Sequence, residues 1–235
     1  MLPSLLELPA CEIHHLPQSL PYVNFTSLLV LDLSANNFNS SLPQLLFNVR
    51  TLVKIFWTNS LKHWPADVKS VSPRSLNGRI PASISNMENL TSLDLSKNYL
   101  SGDIPTDWKG LQSLTTIDFS DNNLSGQIPS SMCSQLPSLH WLRLSNNNLS
   151  GELEKPLQHC TYLDALDLGG NKFSGAISTW IGERSFSYLL LGANMFTGNI
   201  PQQICSLSYV QVLNLSQNIL SGSDPSLDAL VIWNK

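Results

Sequence analysis

The side chains that most often do chemistry in enzymes are thinly spread along this chain. Its histidines are His14, His15, His63, His140 and His159. They form neither an H-E-x-x-H pair nor the Cys/His spacing of a zinc site. A G-x-S-x-G turn, a glycine-rich phosphate loop and the motifs of a protein kinase do not occur either. The sequence therefore predicts no catalytic residues, no metal site and no cofactor, and it indicates that the protein is not an enzyme.

The cysteines offer no second route to such chemistry. They are Cys11, Cys133, Cys160 and Cys205. They are widely spaced and form no C-x-x-C pair, so neither zinc binding nor redox catalysis is indicated. We interpret them as small buried hydrophobic residues. Disulfide bonds remain the alternative.

The composition narrows the range of partners. Charged residues make up only 13% of the 235 residues, and the net charge is −4. Because there is no basic excess, we expect no nucleic acid partner. No apolar run reaches the ~18 residues that a membrane span needs. The opening "MLPSLLELPAC" has no Lys or Arg, so it is not typical of a signal peptide.

The chain repeats an asparagine inside a phrase such as "LDLSKNYLSGDIP", which begins at Leu93. The equivalent asparagines are Asn36, Asn98, Asn122, Asn147, Asn171, Asn194 and Asn218. From Asn98 onwards they recur with a nearly constant period of about 24 residues, which predicts a leucine-rich repeat solenoid. In such a solenoid the stacked turns share one core. We expect each amide to bond the backbone of its own and the next turn.

The apolar positions in each repeat predict short strands. Positions are numbered here from the repeat asparagine as zero, and apolar residues recur at −8, −5, −3, +2 and +6. The L-x-L pair at −5 and −3 alternates inward and outward side chains, as in a strand. The predicted parallel strands are residues 91–95, 115–119, 140–144, 164–168, 187–191 and 211–215. Glycine recurs at +4, where it permits a positive φ or a close backbone approach.

The phrase "LxxLxLSxNxLSGxIPxxL" resembles the plant-specific class of leucine-rich repeats. The stretches "NFTSLLVLDLSANNFNSSLP" and "LDLGGNKFSGAISTWIGERSF" are similar to plant receptor-like proteins of the xylanase-elicitor-receptor type. The resemblance implies a curved, twisted α/β-type solenoid with 3-10 turns, whose "LSGxIP" segments form a second short sheet. It also implies an extracellular recognition module for a protein, peptide or glycan, at the outer face of the plasma membrane, in defence or developmental signalling. In that setting a co-receptor kinase would do the phosphorylating.

An alternative from another functional class is a secreted inhibitor of a cell-wall-degrading enzyme, similar to polygalacturonase inhibitors. Those proteins have cysteine caps at both ends, which this chain does not show. We divide the chain into N-terminal repeats (1–51), an irregular segment (52–75), regular repeats (76–222) and a divergent tail without a cap (223–235). The ends suggest a piece of a longer ectodomain or an aberrant gene product, and we expect the chain to aggregate when expressed alone.

The repeat breaks down in the irregular segment. The interval from Asn36 to Asn98 exceeds two regular turns by roughly 14 residues. Either an excursion of that length protrudes here, or about ten residues of a third turn are missing. The segment carries several basic and aromatic side chains. It is interpreted as an irregular turn, with a binding island as the alternative.

Possible N-glycosylation sites follow from the N-x-S/T pattern. They are Asn24, Asn39, Asn89, Asn123, Asn148 and Asn214. A chain this rich in Asn, Ser and Thr forms several such sites by chance, so they support an extracellular location only modestly.

The richest candidate contact patch is predicted on the concave face of the sheet. It consists of His140, Trp141, Arg143, Asp167 and Tyr188. Trp141 and Tyr188 should project two turns apart, about 10 Å, with Ala165 between them. Trp, Tyr and Arg are the residues that most often anchor interfaces. Two simpler interpretations remain: Trp141 lies flat over its neighbours, and Arg143 only neutralises a row of aspartates.

Overall fold

Short strands recur through the chain, two in most repeats. The structure is a computed structural model that describes residues 4–7, 28–32, 40–42, 49–56 and 76–222. In chain order the strands are β1 (Ser4–Glu7), β2 (Leu28–Asp32), β3 (Ser40–Ser41), β4 (Lys54–Phe56), β5 (Leu76–Gly78), β6 (Ser92–Asp94), β7 (Tyr99–Asp103), β8 (Thr116–Asp118), β9 (Asn123–Gly126), β10 (Trp141–Arg143), β11 (Asn148–Gly151), β12 (Ala165–Asp167), β13 (Lys172–Ala176), β14 (Tyr188–Leu190), β15 (Met195–Gly198), β16 (Val212–Asn214) and β17 (Ile219–Leu220).

The strands form two parallel sheets. The first sheet has nine strands in the order β1-β2-β4-β6-β8-β10-β12-β14-β16, and the second has eight in the order β17-β15-β13-β11-β9-β7-β5-β3. Helices α1 (Met132–Gln135) and α2 (Glu154–Leu157) connect the sheets in two turns, and 3-10 helices at Ala82–Asn86, Thr179–Glu183 and Gln202–Ser206 do so in others. This arrangement confirms the predicted solenoid, its parallel first sheet and the second sheet.

The predicted strands lie in register, one repeat apart. Leu142 pairs with Ile117 on one side and with Leu166 on the other. The inward residues of this row are buried completely or nearly so, as are Leu93 and Leu95. Burying one such side chain stabilises the fold by about 1.5–3 kcal/mol. No single turn can bury these residues alone, so stacking supplies the core.

The repeat asparagine joins each turn to the one before it. Nδ2 of Asn147 donates to the carbonyl of Leu144 in its own turn (3.1 Å) and to that of Phe119 in the preceding turn (2.9 Å). Its Oδ1 accepts the N–H of Leu124, also in the preceding turn, at 2.9 Å. The same bonds recur at Asn122, Asn171, Asn194 and Asn218. The predicted backbone role is therefore correct, but the partner is the preceding turn rather than the next.

Two corners of each turn need a left-handed backbone. The +4 glycines have it as predicted, for example Gly102 with φ +79° and Gly126 with φ +77°. The residue at −1 also has a left-handed backbone, although in three turns it is of a type that does not favour a positive φ. Lys97, Ala193 and Gln217 have φ of +56°, +54° and +55°. Residue type marks this second corner only at Asp121, Asn146 and Gly170.

Strand β4, at the start of the irregular segment, belongs to the regular stack of the first sheet. Strand β4 pairs directly with β2 and with β6, so no turn is missing from the first sheet between them. In the second sheet β5 pairs with β3 and β7. The N–H of Leu76 donates to Oδ1 of Asn98, as a +2 residue does in the regular turns. The extra residues therefore fall between β4 and β5, and residues 57–75 lie outside the described part.

The cysteine prediction needs correction. Cys133 and Cys160 are buried, but they form a disulfide bond rather than two free thiols, with a Cα–Cα distance of 4.8 Å. Their sequence separation of 27 is close to one repeat, which brings them onto neighbouring turns within disulfide reach. Cys205 is free and exposed rather than buried. Cys11, Asn24, Asn36, Asn39 and the tail 223–235 lie outside the described residues.

Candidate functional site

Two aromatic side chains flank an alanine on the outward face of the first sheet. Trp141 on β10 and Tyr188 on β14 are both in register with Ala165 on β12. Both aromatic residues are half-buried, and the hydroxyl of Tyr188 donates to Oε1 of Gln211 at 2.9 Å. Ala165 is only 3% exposed. The surrounding side chains thus cover the alanine, and a ligand here would contact aromatic edges and faces rather than an open slot.

A row of charged residues runs beside this aromatic pair. Asp94, Asp118, Arg143 and Asp167 occupy the −4 position of four successive turns. The Arg143 side chain bridges its two neighbours, with Nε 3.2 Å from Asp167 Oδ2 and Nη1 3.5 Å from Asp118 Oδ2. Arg143 therefore neutralises part of the row, as the simpler interpretation held. Its side chain remains 39% exposed, so it is still accessible to a ligand.

Asp118 lies between Asp94 and Arg143 in this row, and its side chain is largely buried. Burial, and then the like charge of Asp94 on the adjacent strand, raise the pKa of Asp118 from 3.8 to about 7. Arg143 and the hydrogen bonds from Ser120 to Asp118 Oδ1 (2.9 Å from N, 2.6 Å from Oγ) lower the pKa by less. The charge of this surface therefore changes close to neutral pH.

His140 directly precedes β10 and contacts a different aromatic residue from those of the pair. Its ring stacks on Tyr162 with centroids 5.8 Å apart, and its Nδ1 lies 2.6 Å from the carbonyl oxygen of Ser138. Tyr162 is 63% exposed and was not among the predicted site residues. The sequence feature that could have indicated this residue is an aromatic type at position −9, in the turn that follows the turn of His140. The structure thus joins Arg143 to Asp167 and aligns Trp141 with Tyr188, while His140 belongs to a neighbouring stack with Tyr162.

These side chains can make aromatic, cation and hydrogen-bond contacts with an extended ligand. In the ranges that the structure covers, no group of three or more His, Cys, Asp or Glu residues could hold a metal ion. No helix of that part is long and apolar enough to cross a bilayer.

Comparison with known proteins identifies the repeat and its relatives. Residues 88–131 match the family described as Leucine Rich repeats (2 copies), and residues 138–160 match Leucine Rich Repeat. Receptor-like protein 7 of Arabidopsis thaliana is 32% identical over 214 residues, which are 87% of this chain and 18% of that protein. Receptor-like protein EIX2 of Solanum lycopersicum is 46% identical over 50 residues, 20% of this chain and 5% of that protein.

The chain belongs to the plant leucine-rich repeat receptor-like proteins. This receptor-like chain spans about a fifth or less of the length of these two relatives.

Plant ectodomains are among the solved structures similar to this receptor-like chain. The leucine-rich repeat ectodomain of the membrane receptor kinase GASSHO1/SCHENGEN3 from Arabidopsis thaliana, in complex with CASPARIAN STRIP INTEGRITY FACTOR 2, is 30% identical with a TM-score of 0.74. The match covers 96% of this chain and 28% of that one. The Arabidopsis receptor kinase HAESA, in complex with the peptide hormone IDA and the co-receptor SERK1, is 29% identical with a TM-score of 0.67, covering 89% and 37%. The BIR2 ectodomain from Arabidopsis thaliana is 30% identical with a TM-score of 0.54, covering 72% and 88%.

Proposed function

We propose that this chain is an extracellular ligand-recognition module that binds an extended peptide on the outward face of its first sheet. The contact patch is His140, Trp141, Arg143, Asp167 and Tyr188, and the regular repeats 76–222 carry it. The chain has no catalytic activity of its own in this proposal. The full-length protein acts at the outer face of the plasma membrane, in defence or developmental signalling.

The similarity to peptide-bound ectodomains carries the proposal. GASSHO1/SCHENGEN3 and HAESA are both described in complex with a peptide or factor, and this chain shares their repeat over most of its length. The patch adds chemistry suited to a peptide. Trp141 and Tyr188 offer apolar surface two strands apart, and Arg143 keeps 39% of its side chain exposed beside two carboxylates.

A co-receptor kinase completes the proposal. HAESA is described with the co-receptor SERK1, and nothing in this sequence resembles a kinase domain. By analogy with HAESA, we expect a co-receptor kinase to join this ectodomain when a ligand is bound.

Direct binding measurements test the patch. The chain is titrated with synthetic secreted plant peptides, including IDA and CASPARIAN STRIP INTEGRITY FACTOR 2, and a peptide that binds is then tested on a Trp141→Ala, Tyr188→Ala double variant. Loss of the two aromatic anchors should weaken binding at least tenfold, because such residues each contribute on the order of 1–2 kcal/mol or more to an interface. The same double variant in a full-length receptor should bind less peptide at normal surface expression.

Tyr99→Ala is the matched control. Tyr99 is 56% exposed but lies on the second sheet, so its loss should leave affinity unchanged. Equal affinity of the double variant and the unchanged chain would move the binding site to another surface.

A further inference from the structure

One turn of the first sheet lacks a hydroxyl group that other turns carry beside the −4 side chain. At position −2, a serine donates both its backbone N–H and its hydroxyl to that side chain. Ser120 donates to Oδ1 of Asp118 at 2.9 and 2.6 Å, and Ser216 donates to Oδ1 of Asn214 at 3.0 and 2.8 Å. In the turn of β12 the −2 residue is Gly169, so the hydroxyl donor is missing there.

The missing hydroxyl leaves one carboxylate oxygen with spare hydrogen-bonding capacity. Asp167 is the −4 residue of this turn, and only 7% of its side chain is exposed. Within the described residues its Oδ1 accepts one hydrogen bond, from the N–H of Gly169 at 3.1 Å, and its Oδ2 accepts one from Nε of Arg143 at 3.2 Å. An ionised carboxylate has about four acceptor sites. Oδ1 can therefore accept a further donor at the place that the serine hydroxyl occupies beside Asp118.

The space beside this oxygen has room for a small group. Gly169 is half-buried, whereas Ser120 and Ser145 at the same repeat position are buried. A Cβ atom added to Gly169 would lie 3.4 Å from Oδ1 of Asp167 and 3.4 Å from the carbonyl oxygen of Gly192, which are ordinary contact distances. The space bounded by Gly169, Asp167 and Gly192, here called the Gly169 notch, is thus lined by two acceptor oxygen atoms.

The charge and size of the notch favour an ammonium group. Carboxylates outnumber guanidinium groups at the −4 position of four successive turns, where the residues are Asp94, Asp118, Arg143 and Asp167. An ammonium group is compact and carries three donors and no acceptor. The planar guanidinium group of an arginine is wider than the hydroxymethyl group that a serine places here. Leu190, the register partner of Asp167, is half-buried and offers apolar surface to the carbon chain of a lysine.

We propose that the Gly169 notch binds the side-chain ammonium group of a lysine in the ligand. The inference rests on the proposed function, because an extended peptide that contacts both Trp141 on β10 and Tyr188 on β14 must cross β12 between them. The peptide residues over β12 then lie inside the peptide rather than at its end. The ammonium group therefore comes from a lysine side chain and not from the N-terminus.

A peptide array measures this preference. Peptides of about twelve residues are long enough, when extended, to cross the strands from β10 to β14. Their N-termini are acetylated, and one central position carries lysine, arginine or norleucine among randomised neutral residues. The whole chain is applied in dilute solution. It should bind lysine peptides about tenfold more tightly than norleucine peptides, because a hydrogen bond to a charged group is lost in the latter. It should also prefer lysine to arginine.

Filling the notch tests its role. Gly169→Ser restores the hydroxyl group found beside Asp118, and the φ of Gly169 is not positive, so this variant should unfold in urea as the unchanged chain does. It should lose the lysine preference and bind norleucine peptides as before. Ser145→Gly is the matched control, because it opens the equivalent position beside Arg143, where an ammonium group is repelled. This control should keep the lysine preference.

The outcomes separate this inference from the proposed function. A lysine preference that persists in Gly169→Ser, or equal binding of lysine and arginine peptides, would overturn the inference and leave the proposed function standing. Norleucine peptides with a free N-terminus that bind as tightly as lysine peptides would overturn the assignment to lysine. Failure of the proposed function appears separately, as unchanged peptide binding by the Trp141→Ala, Tyr188→Ala variant. A chain that binds no peptide on the array contradicts both.

Discussion

Ala193 adopts a left-handed backbone conformation, with φ +54°, because its repeat position requires it. At the equivalent corner two turns earlier, Asn146 has φ +56°, and in the turn between them Gly170 has φ +65°. An alanine in this region of φ/ψ space costs about 1–2 kcal/mol relative to a right-handed conformation. The backbone of the neighbouring turns holds the corner in place, since the N–H of Ala193 donates to the carbonyl of Ser216 at 2.8 Å.

Replacing Ala193 by glycine should stabilise the protein. Ala193→Gly relieves the left-handed strain and loses only part of that gain to the greater freedom of the unfolded chain, so we expect a net gain of about 0.5–1 kcal/mol. Urea unfolding followed by circular dichroism measures the difference. The matched control is Ala165→Gly, in β12, which should lose about 1 kcal/mol. A destabilised Ala193→Gly variant would show that the corner is not strained.

This corner shows what the sequence could not reveal. At the +4 position glycine is nearly invariant, and it predicted either a positive φ or a close backbone approach. At the −1 position the residues include Lys97, Ala193 and Gln217, none of which favours the left-handed region. The conformation there is imposed by hydrogen bonds between turns rather than by residue type. Only the stacked backbone could show it.

Asp118 should make stability depend on pH. Because the pKa of Asp118 is about 7 in the folded protein and near 3.8 when unfolded, the folded state binds more protons between these values. The free energy of unfolding should therefore fall as pH rises from about 4 to about 7. Asp118→Asn removes the largely buried charge beside Asp94, so this variant should lose that slope and gain at least about 1 kcal/mol at pH 8.

Urea unfolding at a series of pH values measures this effect. Asp103→Asn, an exposed carboxylate on the second sheet, should keep the slope of the unchanged protein. A flat profile for the unchanged protein would show that Asp94, Arg143 and Asp167 compensate this charge fully. An equal slope in Asp118→Asn would show that a group other than Asp118 causes the pH dependence.

At the scale of elements, two tryptophans occupy the connections between the sheets in different ways. Trp108 is fully buried, and its indole N–H donates to the carbonyl of Pro105 at 2.5 Å. Trp180, in the 3-10 helix Thr179–Glu183, is 8% exposed, and its buried indole nitrogen has no hydrogen-bond partner in the described structure. Both side chains are therefore buried, but only that of Trp108 is fixed by a hydrogen bond.

Substitution by phenylalanine separates packing from hydrogen bonding. Trp108→Phe and Trp180→Phe remove a similar volume from the core, but only Trp108→Phe also breaks a hydrogen bond. We expect Trp108→Phe to cost about 1 kcal/mol more than Trp180→Phe. The free energy of unfolding in urea measures both. Equal costs would mean that the hydrogen bond to Pro105 contributes nothing net.

The elements differ in how far they could be predicted. The strands followed from the L-x-L pattern, because apolar alternation next to a fixed asparagine leaves one register for each turn. The disulfide bond did not follow from the repeat pattern, because the connections between the two sheets differ from turn to turn. Cys133 lies closer to its repeat asparagine, Asn122, than Cys160 does to Asn147, so the repeat did not align them. In the structure α1 and the end of α2 bring these positions together.

At the scale of the whole molecule, the contact patch is a product of the stacking. The register of three strands placed Trp141 and Tyr188 on either side of Ala165, as the repeat spacing predicted. The covering of Ala165 and the raised pKa of Asp118 depend on side chains from several turns at once, so they could not be read from any one repeat. A surface of this kind should keep its register when whole repeats are removed, because equivalent positions of the remaining turns then still lie side by side.

Removing one whole repeat tests this dependence on phase. Deletion of positions 172–194 joins Asn171 to Met195 and takes out one full interval between two repeat asparagines. Phe196 then follows Asn171 at the +2 position that Phe173 occupied, and Gly198 takes the +4 position of Gly175. Both replacements keep the residue type. The outgoing turn contributes β13 and β14, so β12 should pair with β16 in the shortened sheet.

In solutions dilute enough to avoid the aggregation expected of the isolated chain, the shortened chain should fold and unfold cooperatively. Its m-value in urea should be lower by roughly one-tenth, because the m-value follows the surface exposed on unfolding. Its contact patch should lack one of the two aromatic side chains, since Tyr188 is removed. Deletion of positions 172–183 takes out only half a repeat and is the matched control. That deletion moves inward residues of the following turn out of phase with the core, so it should abolish the cooperative transition. If the two deletion variants unfold alike, the turns are not held together by the stacking of equivalent positions in neighbouring turns.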